Sequence, residues 1–303
     1  MSFILFRKLI EQSGADIVYI NGLFTQWFSK PLLLYKLGYL KDVRVIVSPR
    51  GMLQQGALQV KPFKKKVFLK LFNFLGLFKK VNWHATNALE RDDIVRTIHK
   101  NYGIYIAENI PKSPVQEFQL SGKEPGKLRL VYLSLITEKK NLLYLIEVLS
   151  KCSAEIHLNI YGPVKDLAYW QLCEQAIEQL PQNISVAYKG AVVPAMVQST
   201  IQQYDAFVSL TKGENFGHAI FEAFSCGRPV LTSNYTPWND LEQSQAGWNV
   251  SIEDPKSVAC LIDSLAAANA VQWNHYCNNA LQLANAYFYE QHDFKELYKK
   301  MFH

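Results

Sequence analysis

The chain has 303 residues, of which 49% are hydrophobic and 19% are charged, which excludes a disordered or fibrous protein and suits two hydrophobic cores. Its five cysteines follow neither a metal-ligand spacing nor a disulfide pattern, which favours a reducing cytoplasm. The formal net charge of +6 is concentrated, because residues 61–80 contain seven lysines and no acid.

The N-terminal part alternates short apolar runs with stretches of helical periodicity. Strands are predicted at residues 15–22, 44–51, 81–87 and 104–110, and a helix is predicted around residues 88–99. None of the apolar runs reaches the roughly 18 to 20 residues that a membrane span requires. Strands that are apolar throughout and alternate with helices indicate a parallel sheet covered on both faces.

The lysine-rich segment, residues 61–80, lies between the second and third of these strands. Its apolar residues Val67, Leu71, Phe74 and Phe78 recur at helical spacing. A basic helix with aromatic residues binds an anionic membrane surface. An ordinary core-facing helix with solvated lysines explains the pattern equally well. Nucleic acid is a weaker option, because no recognition motif accompanies the charge.

The C-terminal part has the same alternation of strands and helices. Residues 111–127, between the two parts, carry three prolines and two glycines and read as a linker. Two doubly wound α/β domains are therefore predicted, residues 1–112 and 128–286, joined by a linker at residues 113–127. The predicted strands are 128–135, 155–162, 184–190 and 206–211, and the predicted helices are 141–152, 166–180 and a short one near 194–203.

Ligands of such sheets bind beyond the carboxyl ends of the strands. The most informative loop there is TKGENFGHAIFEAFSCGRPV, in which Gly213 and Gly217 bracket the start of a helix. Free backbone N–H groups at a helix entrance favour a phosphate. Glu214 and Glu222 can each accept hydrogen bonds from two neighbouring hydroxyls. This combination suits a nucleotide-sugar, and the alternative is a surface helix with two solvated acids.

The same stretch resembles the donor-site signature of glycosyltransferase family 4, which is glutamate, seven residues, glutamate, and then a glycine-x-proline-valine turn. Further motifs occur in the expected order, so that the resemblance extends over nearly the whole chain. They resemble the bacterial branch that builds surface polysaccharides and lipopolysaccharide. These motifs are SPRGML (48–53), HATN with Glu90 (84–90), AENIP (107–111), KKNL (139–142) and TPW (236–238).

The resemblance implies the GT-B fold of two Rossmann-like domains. It implies transfer of a sugar from a nucleotide-diphospho-sugar to a lipid-linked saccharide, with retention at the anomeric carbon. A helix in residues 287–303 would pack back toward the N-terminal domain. No cofactor or metal is implied, and the sequence contains no Asp-x-Asp. The expected location is cytoplasmic, with a peripheral position on the inner face of the plasma membrane as a further option.

The resemblance also implies roles for single residues. Glu214 would hold hydroxyls of the transferred sugar, Glu222 the ribose diol, and Lys140 the diphosphate. Arg50 and Gly51 would line the N-terminal side of the cleft, near the acceptor or the reacting phosphate. His84, on the same side, is either an acceptor-side residue or a buried structural histidine. Trp238 would close over the donor or belong to the core. The remaining donor-binding candidates are Asn215, Phe216, Gly217 and His218 near the diphosphate, and Gly190 and Val192 near the base.

Two features depart from the family pattern. Leu135 stands where an arginine usually accompanies the lysine, and Lys139 or Lys212 is a candidate replacement. Only residues 1–14 precede the first predicted strand, so that an incomplete N-terminal domain is expected. A truncated, catalytically weak or inactive nucleotide-sugar-binding homologue is therefore the alternative to an active enzyme. A basic peripheral-membrane subunit is a third interpretation.

Overall fold

The computed structural model describes residues 3–24, 29–39, 43–54, 57–58, 62–79, 81–98, 103–116, 119, 122–291 and 294–302. The chain divides into two compact units, Met1–Ile110 with Asp293–His303, and Pro111–His292. Each is an α/β unit with a parallel sheet, which confirms the predicted fold class. Lys61 and Lys80 of the basic segment lie outside the described residues, as do residues 117, 118, 120 and 121 of the predicted linker.

The first unit is built on a four-stranded parallel sheet with the order β1-β2-β3-β4. Its central strand β2 is buried on both faces, since Val45, Ile46 and Val47 are fully buried. The elements are α1 (Phe3–Ser13), β1 (Ile17–Asn21), α2 (Ser29–Lys36), β2 (Arg44–Ser48), α3 (Pro62–Phe74), β3 (Asn82–Ala85), α4 (Ala88–Ile98) and β4 (Ile104–Ile106).

The second unit is built on a six-stranded parallel sheet with the order β10-β9-β8-β5-β6-β7. Its strands are β5 (Lys127–Leu133), β6 (Glu155–Tyr161), β7 (Ile184–Tyr188), β8 (Ala206–Ser209), β9 (Val230–Ser233) and β10 (Gly247–Val250). Its helices are α5 (Leu142–Leu149), α6 (Leu167–Glu178), α7 (Val197–Ile201), α8 (His218–Ser225), α9 (Pro255–Ala267), α10 (Ala270–Asn285) and a π-helix (Ala286–Gln291).

Hydrophobic clusters cover both faces of this second sheet. In β5, Leu130 and Tyr132 belong to one cluster, whereas Val131 belongs to the cluster on the opposite face. This arrangement explains why the central strand β8 is buried along its whole length, whereas β6, nearer the edge, alternates buried Ile156, Leu158 and Ile160 with polar residues.

The segment between the two sheets is anchored to the second unit. The Val115 N–H donates to the Ser225 carbonyl at 3.0 Å. The buried Arg228 guanidinium donates to the Gln119 carbonyl at 2.7 Å, so Arg228 fastens the GRPV turn to this segment. The Lys123 side chain is only 3% exposed, and its amine donates to the carbonyls of Ala266 and Ala268. Proline and glycine thus indicate here a lack of regular structure, not a lack of packing.

The last helix, α11 (Phe294–Phe302), belongs to the first unit. Arg44 at the start of β2 donates to the Met301 carbonyl at 2.7 Å, and Met301 is fully buried. The Tyr298 hydroxyl donates to the Glu108 carbonyl at 3.0 Å. Across the part of the chain that the structure describes, no helix has both the length and the apolar character needed to cross a membrane.

Candidate functional site

The order of the second sheet reverses at β5, which pairs with β6 on one side and with β8 on the other. Beyond the carboxyl ends of the strands at such a switch point a doubly wound sheet opens a ligand crevice. Residues 134–141 form the loop after β5, and residues 210–217 form the loop after β8. Asn141 joins them, since its side-chain Nδ2 donates to the Leu210 carbonyl at 2.9 Å. Its φ of 60° is a left-handed conformation that Asn tolerates.

Lys140 and Glu214 meet across these two loops. The Lys140 amine donates to Glu214 Oε1, and the two side chains are only 19% and 17% exposed. The Glu214 N–H donates to the Tyr235 carbonyl at 3.0 Å, which fixes the backbone beneath the carboxylate. Two residues predicted to belong to one site, 74 positions apart, are thus in direct contact.

Helix α8 begins immediately after this pair. Its first flanking residue, Gly217, has a φ of 79°, and a Cβ there would lie 3.0 Å from the Ile220 Cδ1. Glycine is therefore favoured both by conformation and by space. No described side chain caps the helix, and its first turn contains no acid. The backbone N–H groups at this entrance thus point away from the helix with a partial positive charge.

Glu222 lies in the second turn of α8 in a different environment from Glu214. Burial raises the pKa of its carboxyl group, and the positive charge of Lys112 opposes that shift. Among the described residues, no group donates a hydrogen bond to this carboxylate. The side chain is half buried, so it remains accessible to a ligand.

Phe216 and Trp238 fix the approach to the helix. The Trp238 indole N–H donates to the Phe216 carbonyl at 2.5 Å, and both residues are 8% exposed. Trp238 also packs against Phe221 and Phe224. Of the two roles expected for Trp238, the structure therefore fits that of a core residue and not that of a residue closing over the donor. The Phe216 ring contacts His218, which is exposed, while Asn215 is half buried.

The loops after β6 and β7 approach the loop after β5 closely. A Cβ on Gly162 would lie 1.7 Å from the Ser134 carbonyl oxygen, so only glycine fits there. The Gly162 N–H donates to the Gly190 carbonyl at 2.9 Å, and Gly190 has a φ of 75°. Val192 is partly buried against the cluster that contains Val131. These contacts hold Gly190 at the carboxyl edge of the sheet.

The three residues connected with the missing arginine have different surroundings. Leu135 is 44% exposed in the loop after β5. The Lys212 amine lies 3.3 Å from Glu138, an exposed acid. The Lys139 Cε lies 3.5 Å from the position of a Cβ on Gly213, and burial lowers the pKa of the Lys139 amine. Lys139 is therefore the second cation beside the Gly213–Gly217 loop.

A second polar cluster lies at the carboxyl edge of the first sheet. Arg50 follows β2 with a φ of 53°, and its guanidinium donates to Asn21 Oδ1 at 3.0 Å and to the Tyr19 hydroxyl at 3.1 Å. It also donates to Asn109 Oδ1. The Gly51 N–H donates to the buried Glu90 carboxylate at 2.5 Å. The motifs contain Arg50, Gly51 and, within AENIP, Asn109, but not the other two Arg50 partners, Tyr19 and Asn21, which belong to β1.

His84 is a buried structural histidine. It is fully buried, and its ring nitrogens lie 2.6 Å from the Tyr19 hydroxyl and 2.6 Å from the Ala107 carbonyl. Burial lowers the pKa of the imidazole, which favours the neutral form. Because His84 is fully buried, the structural alternative fits it, and direct contact with an acceptor does not.

Comparison with known proteins identifies the family. Residues 116–280 match the family described as glycosyl transferases group 1, and the chain belongs to this family. The curated relative described as an uncharacterized 41.2 kDa protein in the cps region of Klebsiella pneumoniae is 20% identical over 281 residues. That alignment covers 86% of this chain and 72% of the relative. Within the described residues, no group of three or more His, Cys, Asp or Glu could hold a metal ion.

Solved structures show the GT-B fold. TarM has 18% sequence identity and a TM-score of 0.69, with 99% of this chain and 57% of TarM covered, so the chain spans little more than half of that protein. Anabaena Alr3699/HepE in complex with UDP-glucose has 15% identity and a TM-score of 0.71, covering 97% and 80%. WaaG, a glycosyltransferase involved in lipopolysaccharide biosynthesis, has 13% identity and a TM-score of 0.64, covering 99% and 93%.

Proposed function

We propose that this chain transfers a sugar from a nucleotide-diphospho-sugar to a saccharide in the synthesis of a bacterial surface polysaccharide, with retention at the anomeric carbon. The observation that carries the proposal is the Lys140–Glu214 pair beside the uncapped entrance of α8. The relative from a cps region and the likeness to WaaG support the polysaccharide context. The UDP-glucose complex of HepE supports a nucleotide-sugar donor.

The proposed chemistry uses the two loops of the second unit. As the sugar leaves, negative charge develops on the diphosphate oxygen, and preorganised cations and backbone amides stabilise that charge. Lys140 and the N–H groups from Phe216 to His218 supply them in this proposal. Glu214 would then exchange part of its contact with Lys140 for hydroxyls of the transferred sugar. The reaction as proposed uses no resident cofactor or metal.

The carboxylate of Glu222, which accepts no hydrogen bond from the described part of the chain, suits the ribose. A diol offers two O–H donors, and hydrogen bonds to the charged form of an acid stabilise it against burial. Gly190 and Val192 would border the base.

We further propose that the acceptor is lipid-linked and that the first unit lies on the inner face of the plasma membrane. Helix α3 has two apolar faces. Leu69 and Phe72 are buried, whereas Phe63 is 79% exposed and Phe74 is 89% exposed. Val67 and Leu71 belong to the exposed face, and each is about half exposed. Lysines flank that face, which suits a helix lying on an anionic bilayer.

A panel of nucleotide-sugars and saccharide acceptors tests the function through release of nucleoside diphosphate. Lys140→Met is expected to lower kcat about 100-fold, because one stabilising contact to the leaving group is lost. The matched control is Lys212→Met, whose lysine pairs with the exposed Glu138. Donor binding that depends on Glu222 but gives no release with any acceptor would support the inactive homologue instead.

A further inference from the structure

Arg50 carries a positive charge that no acid of the described residues neutralises by an ion pair. Its three acceptors, Asn21, Asn109 and the Tyr19 hydroxyl, are all uncharged. They come from β1 and from the loop after β4, so the polar ends of several strands converge on one guanidinium. Arg50 is partly buried rather than fully buried, and its charge therefore remains accessible to a ligand.

The neighbouring acid, Glu90, is committed elsewhere. One of its oxygens accepts from the Gly51 N–H at 2.5 Å, and the other accepts from the N–H and the hydroxyl of Thr86 at 2.7 and 2.6 Å. Glu90 is 1% exposed, and its hydrogen bond to the Gly51 N–H fixes the Arg50–Gly51 turn from the interior of the unit. The Tyr298 hydroxyl also faces the guanidinium, and it donates to the Glu108 carbonyl.

The Tyr19 hydroxyl is oriented by His84. The Ala107 carbonyl can only accept, so the His84 Nε2 that lies 2.6 Å from it carries the proton. In the neutral imidazole the Nδ1 then accepts from the Tyr19 hydroxyl at 2.6 Å. The Tyr19 oxygen in turn presents its lone pairs to the Arg50 Nη2. The buried histidine thus acts on Arg50 through the tyrosine.

A guanidinium has five N–H donors, and one donor on each of its nitrogens is used by the three neutral acceptors. The Tyr298 hydroxyl is a further hydrogen-bond partner of the guanidinium. At least one N–H donor is then left for a phosphate oxygen, and a hydrogen bond between an arginine and a phosphate is charge-assisted. The backbone is left-handed at Arg50, with a φ of 53°, and at Gly51, with a φ of 73°, and the neutral acceptors hold the guanidinium in place.

We infer that Arg50, held by Tyr19, Asn21 and Asn109, is a preformed site on the first unit for a phosphate group of the acceptor-side substrate. The inference rests on the proposed function, since it assigns a charged group to the acceptor. A lipid-linked saccharide joined through a phosphate has this chemistry. Arg50 is the binding residue, whereas Tyr19, Asn21, Asn109 and His84 are positioning residues that act through it.

The first test measures binding of methyl phosphate and, separately, of UDP, GDP and ADP to the full chain by calorimetry. Arg50→Gln is expected to weaken methyl phosphate at least about tenfold and to change the affinity of the preferred nucleotide less than about twofold. Arg91→Gln is the matched control, because Arg91 is an exposed arginine of the same unit that pairs with Asp92. It is expected to leave both affinities unchanged.

The two phosphate sources give different outcomes. If Arg50→Gln weakens the nucleotide and not methyl phosphate, Arg50 serves the donor diphosphate and the inference is overturned. Equal binding of methyl phosphate by the wild type and by Arg50→Gln, with nucleotide binding intact, overturns it as well. A wild type that binds none of the three nucleotides contradicts the proposed function of the second unit and leaves the methyl phosphate result to decide the inference.

The second test concerns the positioning residues and does not depend on Arg50→Gln folding. Arg50→Lys keeps the charge but loses the planar guanidinium that the three acceptors hold, and Tyr19→Phe keeps the ring but loses the hydroxyl. Both are expected to raise the acceptor KM by about threefold or more, with the donor KM unchanged. His84→Gln is expected to follow Tyr19→Phe. A uniform fall in kcat with both KM values unchanged would indicate a merely structural role.

Discussion

Glu214 and Glu222 belong to one nine-residue block, yet they occupy different environments. Glu214 contacts a lysine from another loop, whereas Glu222 has no donor among the described residues and burial raises the pKa of its carboxyl. Glu214 lies before helix α8 and Glu222 lies in its second turn. The Glu-to-Glu spacing could not reveal the difference, because Lys140 lies 74 residues away in the sequence. The separate roles proposed for the two acids rest on that difference.

Lys139 is expected to replace the cation that Leu135 does not supply. Its side chain lies beside Gly213, whereas Lys212 pairs with Glu138. Lys139→Met should weaken binding of a nucleoside diphosphate about tenfold or more, because a charge-assisted contact contributes roughly 1.5–3 kcal/mol. Adding Leu135→Arg to that variant should restore most of the affinity, as measured by calorimetry. Unchanged affinity in Lys139→Met would exclude the replacement.

The acidity of Glu222 predicts a pH-dependent stability. Its folded-state pKa is raised above the ordinary 4.5, so the folded protein binds this proton more tightly than the unfolded chain does. The contribution of Glu222 to the free energy of unfolding is therefore fully present below its ordinary pKa. That contribution is lost as the pH rises through the raised pKa of the folded state. Relative to the wild type, Glu222→Gln should gain melting temperature as the pH rises above 4.5, in the absence of nucleotide. A difference that stays constant with pH would contradict the assignment.

Among the elements, α3 shows how a predicted helical pattern can be correct while the face that packs stays unknown. The spacing of Val67, Leu71 and Phe74 predicted a helix with one apolar stripe, but the buried residues of α3 are Leu69 and Phe72. Phe78, expected in the same stripe, lies beyond the helix and is buried. A helical period in the sequence indicates that the helix has an apolar face. When a helix has two apolar faces, the period does not indicate which of them packs against the core.

The exposed face of α3 is expected to bind anionic vesicles. Replacing Phe63 and Phe74 together by serine should reduce sedimentation with phosphatidylglycerol vesicles by about tenfold, because large exposed aromatic surface is lost. The melting temperature should stay unchanged, since both side chains are largely exposed. Binding to neutral vesicles should be weak in every variant. Equal binding by the wild type and the double variant would exclude this face as the contact.

The end of α9 depends on Lys123 from the preceding segment. Its amine donates to carbonyls at the helix C-terminus and lies 5.5 Å from the centre of the Trp273 ring. Lys123→Met should destabilise the second unit by about 2–3 kcal/mol, because several buried carbonyls lose a charged donor. Lys127→Met, at a lysine that is 48% exposed and pairs with exposed acids, is the control for urea unfolding. Equal effects of the two changes would contradict the capping role.

For the whole molecule, the sequence was sufficient for the fold class and for grouping Lys140 with Glu214, which are in contact. Strands buried on both faces are apolar throughout, as in β2, and parallel strands bring their polar loops to one edge. Partnerships across the fold could not be predicted, among them Arg50 with Asn109 and Lys123 with α9. Spacing determines which face a residue occupies, whereas a contact also depends on the packing of distant elements.

Each unit has its own hydrophobic core, so a ligand of one unit should stabilise that unit first. A nucleoside diphosphate at about 100 times its Kd adds about 2.7 kcal/mol to the unit that binds it. In scanning calorimetry the nucleotide should raise the temperature of the unfolding transition that Lys123→Met shifts to a lower temperature. The reason is that the nucleotide and the substitution both act on the second unit. A transition that Phe72→Ala lowers reports the first unit, since Phe72 belongs to the core there. If nucleotide raises only the transition that Phe72→Ala lowers, the donor site is on the first unit and the proposed roles of Lys140, Glu214 and Glu222 are wrong.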